Sequence, residues 1–117
     1  MAVKAMKVSE RMRGDRVTVA APGDYGKPRP ALVIQSGLFA ELPSVTLCLL
    51  TSELRAAPIL RITVDPSPDN GLRRVSQVQV DKVFTVARER IGAAIGRLDD
   101  ATMLKVNRSL AVFTGIA

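Results

Sequence analysis

The strongest candidate for chemistry is one arginine held in a short string of glycine and proline, GKPRP at positions 26–30. Proline fixes its own φ and keeps the residue before it out of helical geometry, so the backbone that carries Arg29 is stiff and extended. A guanidinium presents a planar fork of donors that matches a phosphate. The string predicts an anion ligand at Arg29. An ion pair between Arg29 and a surface carboxylate is the alternative that spacing alone favours.

Two predicted strand ends carry further polar candidates. Thr51 and Ser52 follow the apolar run LCLL, so two hydroxyls stand where the chain leaves the core. Hydroxyls there bind phosphate in some proteins and form turns with their own backbone in others. Asp81 interrupts the run VQVDK and is a candidate to orient Arg29 or to accept a proton. Pairing of Asp81 with an arginine of a neighbouring strand is the alternative that we favour.

The charge balance and the one loop aromatic point to a nucleic-acid partner. The chain has 117 residues, 17 Lys and Arg against 11 Asp and Glu, and a formal charge of +6. Tyr25 lies beside Lys27 in a Gly/Pro-rich loop, where an exposed ring can stack on a base of single-stranded RNA. Basic residues spread over a surface can also serve solubility alone. The net charge therefore favours a nucleic-acid partner but does not identify one. The chain has no histidine and one cysteine, Cys48, which excludes histidine chemistry and an internal disulfide.

The elements that must position these residues are short strands followed by one helix. Alternating or continuous apolar runs predict strands. These strands are Arg16–Ala20, Ala31–Ile34, Val45–Leu50, Ile59–Val64 and one or two strands over 75–86 with a break near Asp81. Met103, Val106, Leu110 and Phe113 form an apolar stripe at helical spacing after a capping aspartate at 99 or 100. The order predicts a mainly β fold, a small curled sheet or partly open barrel with a C-terminal helix. We expect Phe39, Phe84 and Phe113 in its core.

The chain reads as one domain preceded by a basic arm. Residues 1–13 carry scattered positive charge without a clear period and predict a poorly ordered arm, and residues 14–117 form the domain. No apolar run reaches the length of a membrane-spanning helix, and the first 13 residues lack the apolar stretch of a secretory signal. We therefore expect a cytoplasmic protein with no membrane partner.

Taken together, the motifs resemble the MazF/PemK family of toxin endoribonucleases from about Arg13 to Ala117. The resemblance rests on Gly14-Asp15 before the first strand, RPALVIQS from Arg29, LTS at 50–52, VQVDKVFTV at 78–86 and the ending AVFTGIA. It implies an SH3-like or CcdB-like β-barrel of five to seven strands with a C-terminal α-helix. It also implies a homodimer that cleaves single-stranded mRNA at short sequences without a metal or other cofactor. A cognate antitoxin with an acidic flexible tail would hold such a toxin inactive.

The resemblance also assigns roles to residues. The family's loop arginine falls on Arg29, as phosphate clamp and candidate acid, and its strand-end threonine falls on Thr51, as a hydrogen-bond donor to the phosphate. Some members add an Arg and Asp pair in the late strand; Asp81 matches the aspartate, while Gln79 stands in place of the arginine. Asp81 or Asp24 would orient the site. The expected RNA-binding residues are Tyr25, Lys27, Ser52, Gln79 and Asp81.

Two rival functions remain open at this stage. A non-enzymatic CcdB-like toxin that binds DNA gyrase would share the barrel, and the ending FTGI at 113–116 is faintly similar to that group's tail. A plain SH3-like binding module without toxicity is the second rival. The RPALV and LTS strings favour the nuclease over both.

Overall fold

Six strands and one helix make up the part of the chain that the structure, a computed structural model, describes, which is residues 12–20 and 27–117. Their bounds are β1 (Asp15–Ala20), β2 (Pro28–Val33), β3 (Ser44–Thr51), β4 (Arg61–Val64), β5 (Ser76–Ala87), β6 (Ile91–Arg97) and α1 (Asp100–Phe113). The basic arm, apart from its last two residues, and the loop segment with Asp24 and Tyr25 lie outside these ranges. The mainly β fold with a C-terminal helix is confirmed.

The strands form one antiparallel sheet in the order β4-β5-β3-β2-β1-β6. The sheet does not close into a barrel, so β4 and β6 are its two edges. Alternating side chains send one set of apolar residues to each face, and each face carries its own buried cluster. One cluster, around Leu32, Leu50 and Val80, packs beneath α1, and the other, around Val17, Val33 and Leu47, lies on the opposite face. The strands β2, β3 and β5 each contribute buried residues to both clusters.

The late apolar segment is one long strand with an irregularity where the sequence predicted a break. In the β3–β5 ladder Cys48 lies opposite Val83, whereas Leu50 lies opposite Val78. Between these two pairs the chain advances five residues along β5 but only two along β3. The extra residues form a bulge in β5, at the part of the strand that contains Asp81. Such a bulge bends β5 and turns its first half toward β4.

The fourth strand begins two residues later than the prediction that placed its start at Ile59. The backbone N–H groups of Leu60 and Arg61 both donate to the carbonyl of Ala57, at 3.0 and 2.8 Å. A turn therefore occupies the segment after Pro58, and Ile59 is exposed rather than part of the ladder. The predicted strand was therefore too long at its start, because it included Ile59 and Leu60, which belong to this turn.

The last strand, β6, had no counterpart among the predicted elements. Its sequence IGAAIGR lacks the β-branched alternation that indicates a strand, and it forms by pairing along β1. A Cβ on Gly96 would lie 2.0 Å from the carbonyl oxygen of Asn70, and one on Gly92 would lie 2.5 Å from Oγ1 of Thr18. The glycines that weaken the strand signal are the residues that allow β6 to approach its neighbours.

The C-terminal helix matches the prediction except at its end. Asp99 caps it by accepting a hydrogen bond from the backbone N–H of Thr102 at 2.8 Å, and Met103 and Val106 are buried. Phe113, expected in the core, is instead 48% exposed in the last turn of α1. Within the described ranges no helix is long and apolar enough to cross a membrane.

The expectation of a phenylalanine core was also wrong for Phe39. This side chain lies in a short 3-10 turn, Gly37–Phe39, between β2 and β3 and is 52% exposed. Phe84 is half-buried and packs against the cluster around Val33. The buried residues of the two clusters are aliphatic except for Cys48 and Met103.

Candidate functional site

Arg29 and Thr51 lie at the same end of two neighbouring central strands. Arg29 is half-buried on β2, where Ala31 pairs with Leu49 of β3. The same register continued by two residues sets Arg29 opposite Thr51. Side chains opposite one another in an antiparallel pair share a face and lie about 4.5–5.5 Å apart at Cβ. The strand register therefore supports the pairing of the two residues that the sequence placed at one site.

Among residues 12–20 and 27–117, the hydroxyl of Thr51 makes one hydrogen bond, which it accepts. Thr51 Oγ1 accepts a hydrogen bond from the backbone N–H of Glu53 at 3.0 Å, which is the turn-forming role that the sequence allowed. A threonine hydroxyl is one donor and two acceptors, so this bond leaves its O–H able to donate. The bond also fixes the oxygen, so Thr51 meets a ligand with a preset geometry. Ser52 follows as an exposed residue at the same strand end.

A cationic cavity opens beside Thr51 and Ser52. Its volume is about 540 Å³. Its lining includes three arginines, four residues with aliphatic or pyrrolidine side chains, three hydroxyl residues and one glycine. These residues are Arg16, Arg73, Arg74, Pro30, Leu50, Leu72, Ile95, Thr51, Ser52, Ser76 and Gly71. Arg29 precedes the lining residue Pro30 in β2, and because side chains alternate along a strand its side chain points to the other face of the sheet. We call this space the arginine cavity.

Gln79 and Asp81 both contact an arginine of the neighbouring strand, Gln79 through a hydrogen bond and Asp81 through an ion pair. Arg61 Nη1 donates to Gln79 Oε1 at 3.0 Å, and Arg61 Nε lies 3.7 Å from Asp81 Oδ1. This is the pairing that the sequence favoured for Asp81 over the orientation of Arg29. The two residues lie in the bulged part of β5, beside β4 at the edge of the sheet. The structure therefore brings them to Arg61 rather than into the lining of the arginine cavity.

The remaining predicted residues flank the start of β2. Lys27 is exposed directly before β2, one residue from Pro28 and two from Arg29. Its charge therefore adds to the basic end of this strand. Tyr25 and Asp24, the predicted stacking ring and one of the predicted orienting carboxylates, lie outside the described residues.

Cys48 is a core residue and not a nucleophile. It is fully buried in β3, and burial raises the pKa of its thiol to about 12. The thiolate is the reactive form, so at neutral pH this cysteine is inert. Among the described residues no three His, Cys, Asp or Glu side chains group together as a metal site would require.

Sequence reasoning missed three arginines of the site, Arg16, Arg73 and Arg74. It treated them as parts of a strand or of scattered basic charge. They come together because the loop between β4 and β5 packs against β6, and β6 was not predicted. Partial burial lowers the pKa of the Arg16 guanidinium, which nonetheless stays protonated at any working pH. The signal that the sequence did contain was the pair Arg73-Arg74 directly after Asn70-Gly71, a strong turn.

Comparison with known proteins agrees with this fold and shows the family. The family model described as "PemK-like, MazF-like toxin of type II toxin-antitoxin system" matches residues 12–114. A protein of Mycolicibacterium smegmatis named "Probable endoribonuclease MazF" is 46% identical over 106 residues, which cover 90% of this chain and 97% of that one. The matched range, residues 12–114, contains both Arg29 and Thr51.

Solved structures give the same result for the fold. An endoribonuclease in complex with its cognate antitoxin, from a mycobacterial species, aligns with a TM-score of 0.72 at 25% identity and covers 91% of this chain and 96% of its own. The Mycobacterium tuberculosis toxin MazF-mt6 aligns with a TM-score of 0.73 at 22% identity over 87% of this chain and 98% of its own. Because the family model spans most of the chain and the relative is close, the chain belongs to the PemK-like, MazF-like family of toxins of type II toxin–antitoxin systems.

Proposed function

We propose that this MazF-like toxin is a sequence-specific, metal-independent endoribonuclease that cleaves single-stranded mRNA, with Arg29 and Thr51 as its catalytic residues. Endoribonuclease activity follows from the family and from the name of the 46% identical relative. The observation that supports the residue assignment is the β2–β3 register, which puts Arg29 opposite Thr51 when it is continued two residues past the Ala31–Leu49 pair. Thr51 also lines the arginine cavity. The CcdB-like alternative is not favoured, because the family match is to PemK-like, MazF-like toxins.

The chemistry requires little of the protein besides positioning and charge. The 2′-oxygen of the substrate attacks the adjacent phosphorus, a 2′-O–P bond forms and the P–O5′ bond breaks. The 2′-hydroxyl loses its proton and the departing 5′-oxygen gains one, so the products are a 2′,3′-cyclic phosphate and a 5′-hydroxyl. Arg29 neutralises the charge that develops on the phosphate oxygens, and Thr51 donates a hydrogen bond to one of them. One preorganised donor of this kind contributes about 2.7–4 kcal/mol to the barrier reduction by analogy with other enzymes.

Arg29 serves as the cation and as the candidate acid. A guanidinium stays protonated at any working pH, so it has no free lone pair to accept a proton and is a poor base. The departing 5′-oxygen, in contrast, becomes strongly basic as its bond to phosphorus breaks, and a fork already bonded to the phosphate is close enough to protonate it. The general base that accepts the proton of the 2′-hydroxyl is therefore a group other than Arg29. We propose Asp81 or Asp24 as the orienting carboxylate and Tyr25, Lys27, Ser52, Gln79 and Asp81 as RNA-binding residues. Of these, Gln79 and Asp81 would act from their position beside Arg61 and not from the lining of the arginine cavity.

We also propose a cognate antitoxin, a homodimer and a cytoplasmic location. A mycobacterial endoribonuclease of this fold is known in complex with its cognate antitoxin, and a flexible acidic segment complements a chain whose formal charge is +6. The mRNA substrate requires the cytoplasm.

Incubation of the purified protein with a long RNA in EDTA tests the activity. Discrete fragments that end in cyclic phosphate support the proposal, and an RNA that stays intact overturns it. Arg29→Ala should abolish cleavage, while Arg108→Ala, on the exposed side of α1, should leave it unchanged. Growth arrest on induction of the wild type, absent with a folded Arg29→Ala protein, separates the toxin from a plain binding module.

A further inference from the structure

The loop between β4 and β5 is built around one buried asparagine. Asn70 is only 4% exposed. Its Oδ1 accepts from the backbone N–H groups of Ser67 and Leu72 at 3.0 and 2.9 Å, and its Nδ2 donates to the carbonyl of Asp65 at 2.9 Å. A side chain that is bonded to three backbone groups fixes the path of the loop, so the residues that follow it leave in a defined direction.

Hydrogen bonds connect the same loop to the first and last strands, β1 and β6. Arg16 Nε donates to the carbonyl of Asn70 at 2.7 Å, and Arg16 Nη2 donates to that of Gly71 at 2.8 Å. On the other side the backbone N–H of Arg97 donates to the carbonyl of Asp69 at 2.8 Å. These bonds link β1, the loop and β6 into one unit.

Arg73 and Arg74 emerge from this unit at the arginine cavity. Both are exposed, and both line the cavity with Thr51 and Ser52. The hydroxyl of Ser76 donates to the carbonyl of Arg74 at 3.0 Å, which fixes the backbone just before β5. Two flexible side chains therefore extend from a fixed backbone and can close on a ligand at the strand end that carries Thr51.

The chemistry of the cavity matches a nucleotide better than a lone anion. The described residues that line it include three guanidinium groups and no carboxylate, and Leu50, Leu72 and Ile95 supply apolar surface. Guanidinium groups bind phosphate through paired donors and stack on bases, while aliphatic walls accept a base that has left its stack. A volume of about 540 Å³ lies within the usual range of about 300–1,000 Å³ for small-ligand sites.

We propose that the arginine cavity binds the nucleotide next to the cleaved phosphodiester, with Arg73 and Arg74 as the ligands of its phosphate and Arg16 as the residue that positions their loop. The inference rests on the proposed ribonuclease function, because Thr51 is both a wall of the cavity and the proposed donor to the reacting phosphate. It extends that function by assigning a substrate subsite to residues outside the predicted site.

The test is the affinity for a single-stranded RNA that carries 2′-O-methyl groups and so lacks the attacking hydroxyl. Arg73→Gln combined with Arg74→Gln should weaken its binding on the order of tenfold at low salt, since hydrogen bonds to charged groups are the strong ones. The slope of log K against log salt should fall by roughly 0.7–1.4, which corresponds to one or two lost phosphate contacts. Lys105→Gln combined with Arg108→Gln removes the same charge from an exposed face of α1 and is the matched control.

The outcomes separate this inference from the function on which it rests. A wild type that cuts RNA, with a cavity variant whose affinity and salt slope equal those of the α1 control, overturns the subsite and leaves the ribonuclease in place. A wild type that cuts no RNA overturns the proposed function itself. Thermal unfolding of both double variants establishes that they fold, and because both pairs of side chains are exposed we expect their melting temperatures to match the wild type.

Discussion

The proposed chemistry depends on what a single guanidinium can do that an ammonium cannot. Arg29 is carried by a backbone that two prolines stiffen, in a strand that lies between β1 and β3. Its planar fork can hold two phosphate oxygens at once, whereas a lysine offers one compact charge on a flexible stem. The proposed role of Arg29 therefore needs the planar geometry of a guanidinium as well as its charge. A lysine substitution removes that geometry and keeps the charge.

Arg29→Lys should keep most of the RNA affinity and lose most of the cleavage. The charge remains for binding, but the bidentate contact to the developing phosphate oxygens is lost, and we expect kcat to fall by about 10²–10³-fold, as for loss of one transition-state donor. Single-turnover cleavage and binding of an uncleavable RNA measure the two quantities separately. Turnover equal to that of the wild type would refute the role of the fork.

At the scale of elements, the sequence predicted the strands and the helix that have a local apolar pattern. It missed the strand that forms only through tertiary contact. The alternation around Val17 and Val19 predicted β1, and the stripe through Met103 and Val106 predicted α1. The segment that became β6 has no such pattern, because its glycines are set by close approach to Thr18 and Asn70. The same tertiary contact creates the arginine cavity, which explains why the sequence did not predict Arg16, Arg73 and Arg74 as its lining.

Gly96→Ala tests the contact that closes the loop onto β6. The added Cβ would lie 2.0 Å from the carbonyl oxygen of Asn70, which is backbone and cannot rotate away. We expect a loss of about 1–3 kcal/mol in the free energy of unfolding, measured by urea denaturation. Gly37→Ala is the control, because among the described residues its Cβ would meet only a Met12 methyl group, at an ordinary contact distance of 3.7 Å. Equal stability of the two variants would show that the loop does not pack on β6.

The start of α1 should make part of the stability pH-dependent in acid. Hydrogen bonds from Thr102 lower the pKa of the Asp99 carboxyl. A carboxyl whose pKa is lower in the folded state stabilises that state above the unfolded pKa of about 4, and this contribution is lost as the pH falls through the folded value.

Asp99→Ala should therefore reduce the melting temperature at pH 7 and reduce it less at pH 3. Asp99→Asn keeps a good capping side chain without a titrating group, so it should retain most of the stability at both pH values. Thermal unfolding of the three proteins at the two pH values makes the comparison. A deficit of the alanine variant that is the same at both values would contradict a role for the ionised cap.

At the scale of the whole molecule, charge should dominate the association with RNA. The formal charge is +6, and basic residues surround the strand end that carries Thr51. Each phosphate that the protein neutralises releases counterions, so for a single strand log K falls with log salt at about 0.7 per contact. Five contacts would weaken binding about 100-fold between 50 and 200 mM salt. A methylphosphonate oligonucleotide of the same sequence has no backbone charge and should bind with little salt dependence. If the charged RNA also bound with a flat salt profile, association would have to come from base contacts alone, and neither the basic cavity nor the net charge would explain it.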